Sequence, residues 1–260
     1  GPQRGPDVGV VLEVTLAEAA SGVSREIRFS APGRCPVCGG NGAEPGTTPV
    51  RCTTCGGRGQ VQTSRNTFLG AVMTVTDCST CRGRGEIIEE PCPECRGAGR
   101  VDAERELTVE IPAGVDDGTR LRLSGRGGVG DRSGPPGDLY VQVHVTADDR
   151  FERIGDDLRH HLVLGMAEAA LGTKRTVPLV DGEETEVDVP RGTQSGTVFR
   201  MARQGMPRLR RRGRGDLLVE VEVRTPEDLN DDEEALLRSL AELRGEQPVE
   251  PRRRRRRRSG

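Results

Sequence analysis

The chain has 260 residues, enough for two domains with a real core, and a net charge of −2. It carries no Trp, 1 Tyr and 4 Phe against 36 Gly and 17 Pro, a balance that points to small β-rich units packed on Val, Leu and Ile. No signal peptide or long apolar run is visible, so the expected compartment is a cytoplasm that keeps thiols reduced, with no membrane association.

In chain order, the opening Gly1-Pro-Gln-Arg-Gly-Pro6 reads as the tail of a Gly-rich linker. Period-two alternation predicts strands over 8–16 and 25–29, with a short Ala-rich helical turn beginning at Leu16. Four copies of Cys-x-x-Cys-x-Gly-x-Gly follow, starting at Cys35, Cys52, Cys78 and Cys92, and they hold all 8 cysteines. Two thiolates three residues apart on a tight turn can share one tetrahedral metal ion. Positive φ at the first Gly lets backbone N–H groups turn toward the sulfurs. Four thiolates close a site, so four turns make two; all-sulfur coordination favours zinc or an iron–sulfur cluster, and four-thiolate zinc is the usual structural site.

Residues 60–77 read as a β-hairpin, with β-branched residues flanking 66–70. That hairpin would bring the second turn to the third, leaving the first for the fourth. The expected sets are Cys35, Cys38, Cys92 and Cys95 for one zinc, and Cys52, Cys55, Cys78 and Cys81 for the other. Each centre would carry about −2 formal charge, which Arg34, Arg51, Arg58, Arg82, Arg84 and Arg96 could offset or merely surround with solvated charge.

Strands are predicted next over 107–111, 120–123 and 139–145, then over 158–164, 174–179, 185–189, 198–201 and 217–223, with a second Ala-rich turn from Met166. The last element is a helix capped by Asn230, with acids in its first turn and an apolar face of Leu236, Leu237 and Leu240. Having little core of its own, that helix is expected to dock on a partner subunit. Residues 252–258 are seven consecutive arginines, without which the body carries −9. The tail of 247–260 is expected to be disordered and solvated; the same run of arginines could bind nucleic acid or an acidic surface.

A second repeat underlies the first. Ile111-Pro-Ala-Gly-Val-Asp-Asp-Gly-Thr119 and Val189-Pro-Arg-Gly-Thr-Gln-Ser-Gly-Thr197 lie 78 residues apart, as do Gly137-Asp-Leu-Tyr and Gly215-Asp-Leu-Leu. Ala17-Glu-Ala-Ala and Ala167-Glu-Ala-Ala lie 150 apart. The difference, 72, matches the length of the cysteine-rich stretch. Two copies of one β domain are therefore expected, the first interrupted where the second has a hairpin at Val180-Asp-Gly-Glu183. The expected layout is mainly β, with two tandem β-sandwich-like domains. Domain one is 8–30 plus 101–148, the cysteine module 31–100, domain two 149–226, and the helix 227–246.

The fourfold cysteine motif inside the first of two β domains, followed by a terminal helix, resembles the DnaJ family of zinc-containing J-domain co-chaperones, over about 8–243. The resemblance implies a non-enzymatic chaperone with two zinc ions per chain. It implies binding of unfolded polypeptides, suppression of aggregation and delivery of clients to a DnaK-type chaperone working with GrpE. It also implies a homodimer through the C-terminal region. No His-Pro-Asp, the J-domain signature, occurs; the three histidines are His144, His160 and His161. This chain is therefore expected to hold clients without stimulating the DnaK ATPase. The resemblance places client capture on the strand leading into the cysteine module, by strand addition beside an apolar pocket. Ile27 and Phe29 share a face of that strand, and Leu107, Val109 and Val141 lie on expected neighbours. The same five residues would also serve as ordinary core. Val177 and Leu179 occupy the equivalent places in copy two and could form a weaker client site.

Two other functions compete. A nucleic-acid-binding zinc protein would use the cysteine turns and the arginine run, but the module offers only Phe68 for base stacking and the body is acidic. A thiol–disulfide oxidoreductase or isomerase would need reactive thiolates, which a metal would occupy. Adjacent His160 and His161 point to opposite faces of a strand, and no nucleophile motif accompanies them.

Overall fold

The computed structural model describes residues 2–67, 70–132 and 134–248. Phe68 and the arginine run at 252–258 lie outside the described residues. In chain order the elements are β1 (Val8–Val14), α1 (Leu16–Ser21), β2 (Val23–Arg34), β3 (Val50–Arg51), β4 (Gln60–Thr67), β5 (Gly70–Asp77), β6 (Glu86–Ile87), β7 (Arg100–Ile111), β8 (Arg120–Leu123), β9 (Leu139–Val145), β10 (Glu152–Ile154), β11 (Asp157–Gly165), α2 (Met166–Leu171), β12 (Thr173–Pro178), β13 (Glu184–Val189), β14 (Val198–Met201), β15 (Leu217–Arg224) and α3 (Asp231–Arg244).

One layout is built twice. In the first copy β1 runs parallel to β9, pairing Val8 with Leu139 through Val14 with Val145, and β8 lies antiparallel on the far side of β9. In the second, β11 runs parallel to β15, pairing Leu158 with Leu217, and β14 takes the place of β8. The 150- and 78-residue offsets map one register onto the other, so the duplication extends to individual strand pairs. β10, a three-residue strand absent from the sequence reading, adds to the free edge of β11. Leu139, Val141 and Val143 of β9 and Leu217, Val219 and Val221 of β15 point into a shared apolar core.

The first strand ends two residues earlier than alternation suggests, because Thr15 starts a helix. Its Oγ1 accepts from Glu18 N at 3.2 Å, and Glu18 Oε2 accepts from Thr15 N at 2.9 Å, a complete capping box. At the equivalent place Gly165 has no side chain, and only the return bond from Gly165 N to Glu168 is made, at 3.1 Å.

Each copy next forms an antiparallel ladder. β12 and β13 pair from Thr173 with Val189 to Pro178 with Glu184, then close in a tip where Leu179 N donates to Glu183 O at 2.7 Å. The strand predicted over 174–179 thus stops at Pro178, and Leu179 and Val180 turn into the core. β2 and β7 repeat those six pairs and add six more, from Phe29 with Arg105 to Arg34 with Arg100. The strands predicted over 25–29 and 107–111 are therefore twelve residues long. The extra pairs form a stalk carrying the cysteine module. Pro32 fits within it because β2 and β7 pair only with each other among the described residues, leaving the outer side of β2 without a required N–H.

A buried carboxylate recurs in both copies. Asp138 accepts from Gly125 N at 2.8 Å, Arg122 Nε at 2.9 Å and Arg4 Nη2 at 2.8 Å, and its own N–H donates to Asp7 at 2.7 Å. Asp216 accepts from Arg203 N at 2.7 Å and from Arg200, and its N–H donates to Asp157 at 2.7 Å. Backbone N–H bonds first, and the guanidinium neighbours after them, hold both carboxyls below the usual range. The copies meet where Arg153 donates to the carbonyls of Val115, at 2.6 Å, and Gly114, at 3.3 Å, and pairs with Asp116.

Residues 2–7 lie along the loop between β8 and β9. Gln3 and Asp131 exchange two backbone hydrogen bonds, at 3.1 and 3.0 Å, and Gly128 N donates to Pro6 O at 2.9 Å. From the same loop Arg132 Nη1 reaches the carbonyl of Gly83 in the cysteine module, at 3.0 Å. The same loop also holds the stalk, Val129 N donating to Pro32 O at 2.7 Å and Arg105 Nη1 to Gly127 O at 2.9 Å.

Candidate metal centres and client groove

The β4–β5 hairpin pairs Gln60 with Asp77, which sets the end of the second cysteine turn against the start of the third. β3 and β6, two-residue strands not foreseen from the sequence, close the other side of that pair by joining Arg51 to Glu86. The stalk does the same for the first and fourth turns by joining Arg34 to Arg100. Two clusters result. Cys35, Cys38, Cys92 and Cys95 lie together, as do Cys52, Cys55, Cys78 and Cys81, with the sulfurs of each set within 4.8 Å of one another.

The two clusters share one geometry. Cys35 and Cys92 sulfurs are 3.9 Å apart and Cys38 and Cys95 3.7 Å; in the other cluster Cys52 and Cys78 are 3.9 Å apart and Cys55 and Cys81 3.7 Å. All eight are free thiols at distances that rule out disulfides. A metal–sulfur bond of about 2.3 Å in a regular tetrahedron places sulfurs about 3.8 Å apart. The donor set and its spacing therefore fit one four-coordinate ion per cluster.

The last Gly of each turn makes the geometry. Gly42, Gly59, Gly85 and Gly99 donate N–H to the sulfurs of Cys38, Cys55, Cys81 and Cys95, at 3.2–3.3 Å. Their carbonyls accept from Cys92, Cys78, Cys52 and Cys35 of the opposite turn, at 2.9–3.0 Å. The second Gly thus gives the closest N–H contacts to sulfur, and the first Gly adds to them at Cys38, Cys55 and Cys95. All four have positive φ, and a Cβ on Gly99 would lie 2.4 Å from the Gly40 carbonyl. Arg82 and Arg96, directly after the second cysteines of their turns, hold positive φ of 51 and 52°, where the other two turns use glycine.

The thiols do not titrate alike. Burial pushes Cys38 up, but N–H bonds from Gly40 and Gly42 and the adjacent thiols outweigh it and bring Cys38 down to about 7. Bonds to the Cys81 and Thr80 backbones bring Cys78 to about 7. Burial drives Cys95 up to about 11. Each cluster thus mixes readily ionised and reluctant sulfurs. Two of the nearby arginines bind backbone: Arg51 Nε donates to Gly56 O at 2.8 Å, and Arg84 reaches Gly97 O at 3.4 Å, spanning from one cluster to the other.

Ile27, Val109 and Val141 are buried in the core, while Phe29 and Leu107 are half-buried and pack against it. Half-buried Val8, Val10 and Leu12 of β1 also pack on that core. In copy two the residue equivalent to Phe29, Leu179, is fully inside, and the place of Leu107 is taken by Thr185. A groove of about 510 Å³ bounded by Val23, Ile111, Pro112 and Leu121 opens at the base of the ladder.

On α3 the Asn230 cap accepts from Glu233 N at 2.9 Å. Leu236 and Leu240 are 72% and 44% exposed and Leu237 half-buried. Leu243, 87% exposed, continues the stripe. The sequence reading missed it, although its spacing of seven from Leu236 was the signal. His160 is engaged structurally, its ring against Phe151 and its Nδ1 bonded to Arg150 O at 2.9 Å. Among the described residues no helix is long and apolar enough to cross a membrane.

A duplicated β protein whose first copy carries a double four-cysteine arm is a narrow structural class. The DnaJ C terminal domain profile matches residues 8–226, and the chain belongs to that family. It is 48% identical to the "Chaperone protein DnaJ 2" of Streptomyces avermitilis, over 94% of this chain and 65% of that protein. It is 43% identical to the "Chaperone protein DnaJ" of Methanothermobacter thermautotrophicus, over 95% of this chain and 65% of that protein. With its counterpart in Acetivibrio thermocellus it shares 42% identity, over 97% of this chain and 65% of the relative. The chain thus spans just under two thirds of the length of the curated relatives it matches, which are named chaperones rather than enzymes.

Proposed function

We propose that this chain is the client-holding part of a cytoplasmic, non-enzymatic DnaJ-type co-chaperone. It binds unfolded polypeptides and keeps them from aggregating. Clients pass to a DnaK-type chaperone that works with GrpE. Each chain carries two structural zinc ions, one per cluster, with all four coordination positions filled by thiolates and none left for water. The stripe of Leu236, Leu240 and Leu243 joins two chains into a homodimer. Domain one covers 8–30 and 101–148, the zinc module 31–100, domain two 149–226 and the dimer helix 227–246.

The observation that carries this reading is the contrast between Phe29 and Leu179. Copy two folds Leu179 inside, whereas copy one leaves Phe29 half-exposed, with half-buried Leu107 near it, beside an edge of β2 that has no strand partner among the described residues and is met by Val129 N at Pro32 O. An extended client adds to that edge through its backbone and sets an apolar side chain against Phe29 and Leu107. Ile27, Val109 and Val141 form the floor.

The test is Phe29→Ser with Leu107→Ser, assayed by suppression of aggregation of a denatured client. The double variant should keep its fold and its metal and lose most of the suppression. Full suppression by the folded variant would overturn the client site at Phe29 and Leu107. The parent chain should suppress aggregation without raising DnaK ATPase turnover.

A further inference from the structure

The loop after β14 differs chemically from its counterpart after β8. Residues 200–215 contain seven arginines and no acid, whereas residues 122–137 contain three arginines and Asp131. Three of the seven serve the fold. Arg200 pairs with Asp216, Arg208 with Asp156 at 3.3 Å, and Arg214 Nε donates to Gly205 O at 3.0 Å. Arg203, Arg210, Arg211 and Arg212 are exposed and have no carboxylate partner among the described residues.

The tip that carries them is fixed. Arg208 N donates to Gly213 O at 3.1 Å and Arg211 N to Arg208 O at 3.2 Å, with Pro207 bridged to Arg214. Its base abuts copy one, for a Cβ on Gly114 would lie 2.3 Å from the Pro207 carbonyl. Arg210, with φ of 58°, stands 78 residues after Arg132, with φ of 50°. In copy one that arginine grips a polypeptide carbonyl, Gly83 of the cysteine arm. Copy two has no such arm, and its equivalent arginine points to solvent with two more beside it.

We propose that the loop of residues 203–212 is a docking surface for an acidic polypeptide segment. Guanidinium groups on a fixed backbone bind carboxylates in paired geometry with little ordering cost. A short acidic peptide fits the narrow tip. A long nucleic-acid backbone would run on past it over a body whose charge, outside the tail arginines, is −9. Residues 200–216 also contain no aromatic on which a base could stack. This surface belongs to copy two, whereas Phe29 and Leu107 belong to copy one, and it does not depend on the chaperone reading.

The experiment measures fluorescence anisotropy of a labelled ten-residue poly-glutamate peptide, and of a labelled DNA duplex, with the whole 260-residue chain at low salt. Two variants are compared with it: R210Q/R211Q/R212Q, and one with the seven tail arginines changed to Gln. Loss of three exposed charge pairs should weaken peptide binding about tenfold, and higher salt should erase the difference. The tail variant should retain the loop-dependent part. Unchanged peptide affinity in the loop variant would overturn the proposal, as would disappearance of all binding with the tail. Tighter binding of the duplex through the same three arginines would overturn it in favour of nucleic acid. Metal content and suppression of client aggregation should be unaltered in the loop variant, which separates this outcome from failure of the client groove.

Discussion

After α1 and again after α2 the chain enters the same six-pair ladder, Val23 with Ile111 onward in one copy and Thr173 with Val189 onward in the other. One ladder closes at once around Gly182. The other runs on for six pairs and opens into an arm with two cysteine clusters. The cores beneath are alike: Ile27 and Val177 are both buried, and Asp138 and Asp216 hold their loops by equivalent bonds. A hairpin tip is therefore a place where a β domain accepts a large insertion, because the six pairs beneath it are kept in the same register in both copies. The visible difference beneath the insertion is local, at Phe29, which is half-buried where its counterpart Leu179 is inside.

Metal removal should break the comparison most strongly. Structural zinc supplies about 10–16 kcal/mol in isolated finger peptides. Chelation should therefore abolish hydrogen-exchange protection across residues 35–99 while leaving β12–β13 unchanged. Equal loss in both ladders would show that the arm and the body fold as one unit. Cys92→Ser should lower the metal count from two ions to one.

Glycine substitutions sharpen it next. Gly182, with φ of 90°, has open space around a Cβ, so Gly182→Ala should cost only the left-handed penalty, about 1–2 kcal/mol. Gly99→Ala adds a 2.4 Å collision with the Gly40 carbonyl. It should weaken metal retention in competition with a chromophoric chelator, which Gly182→Ala should not. The smallest effect concerns the helix caps. Thr15→Ala should lower stability in urea by about 1 kcal/mol, while Gly165→Ser should raise it by a few tenths. Loss in both would mean that α2 is capped by something other than Glu168.

Much of this was legible in the sequence because it repeats. Offsets of 78 and 150 survive as register, and the hairpin at 60–77 dictates which cysteine turns meet. Asn230 announced α3. The stalk was hidden because Ser30-Ala-Pro-Gly33 reads as a break, yet an edge strand tolerates Pro32. The end of β1 was missed although Thr15-Leu-Ala-Glu18 spells a capping box. β10 was missed because three residues carry no usable period. The fate of Phe29 could not be read at all, since alternation assigns a face but not the cover above it.

The length of the stalk makes the arm a lever. At about 3.4 Å per residue, six pairs raise the clusters by about 20 Å, so a tilt of about 10° at the Phe29–Arg105 pair would swing them by about 3.5 Å. The bonds from Arg132 to Gly83, Val129 to Pro32 and Arg105 to Gly127 act as guy-ropes against that swing, and all three involve the loop that residues 2–7 lie along. A pull on the first few residues of the chain is thereby transmitted to the third cysteine turn and its cluster.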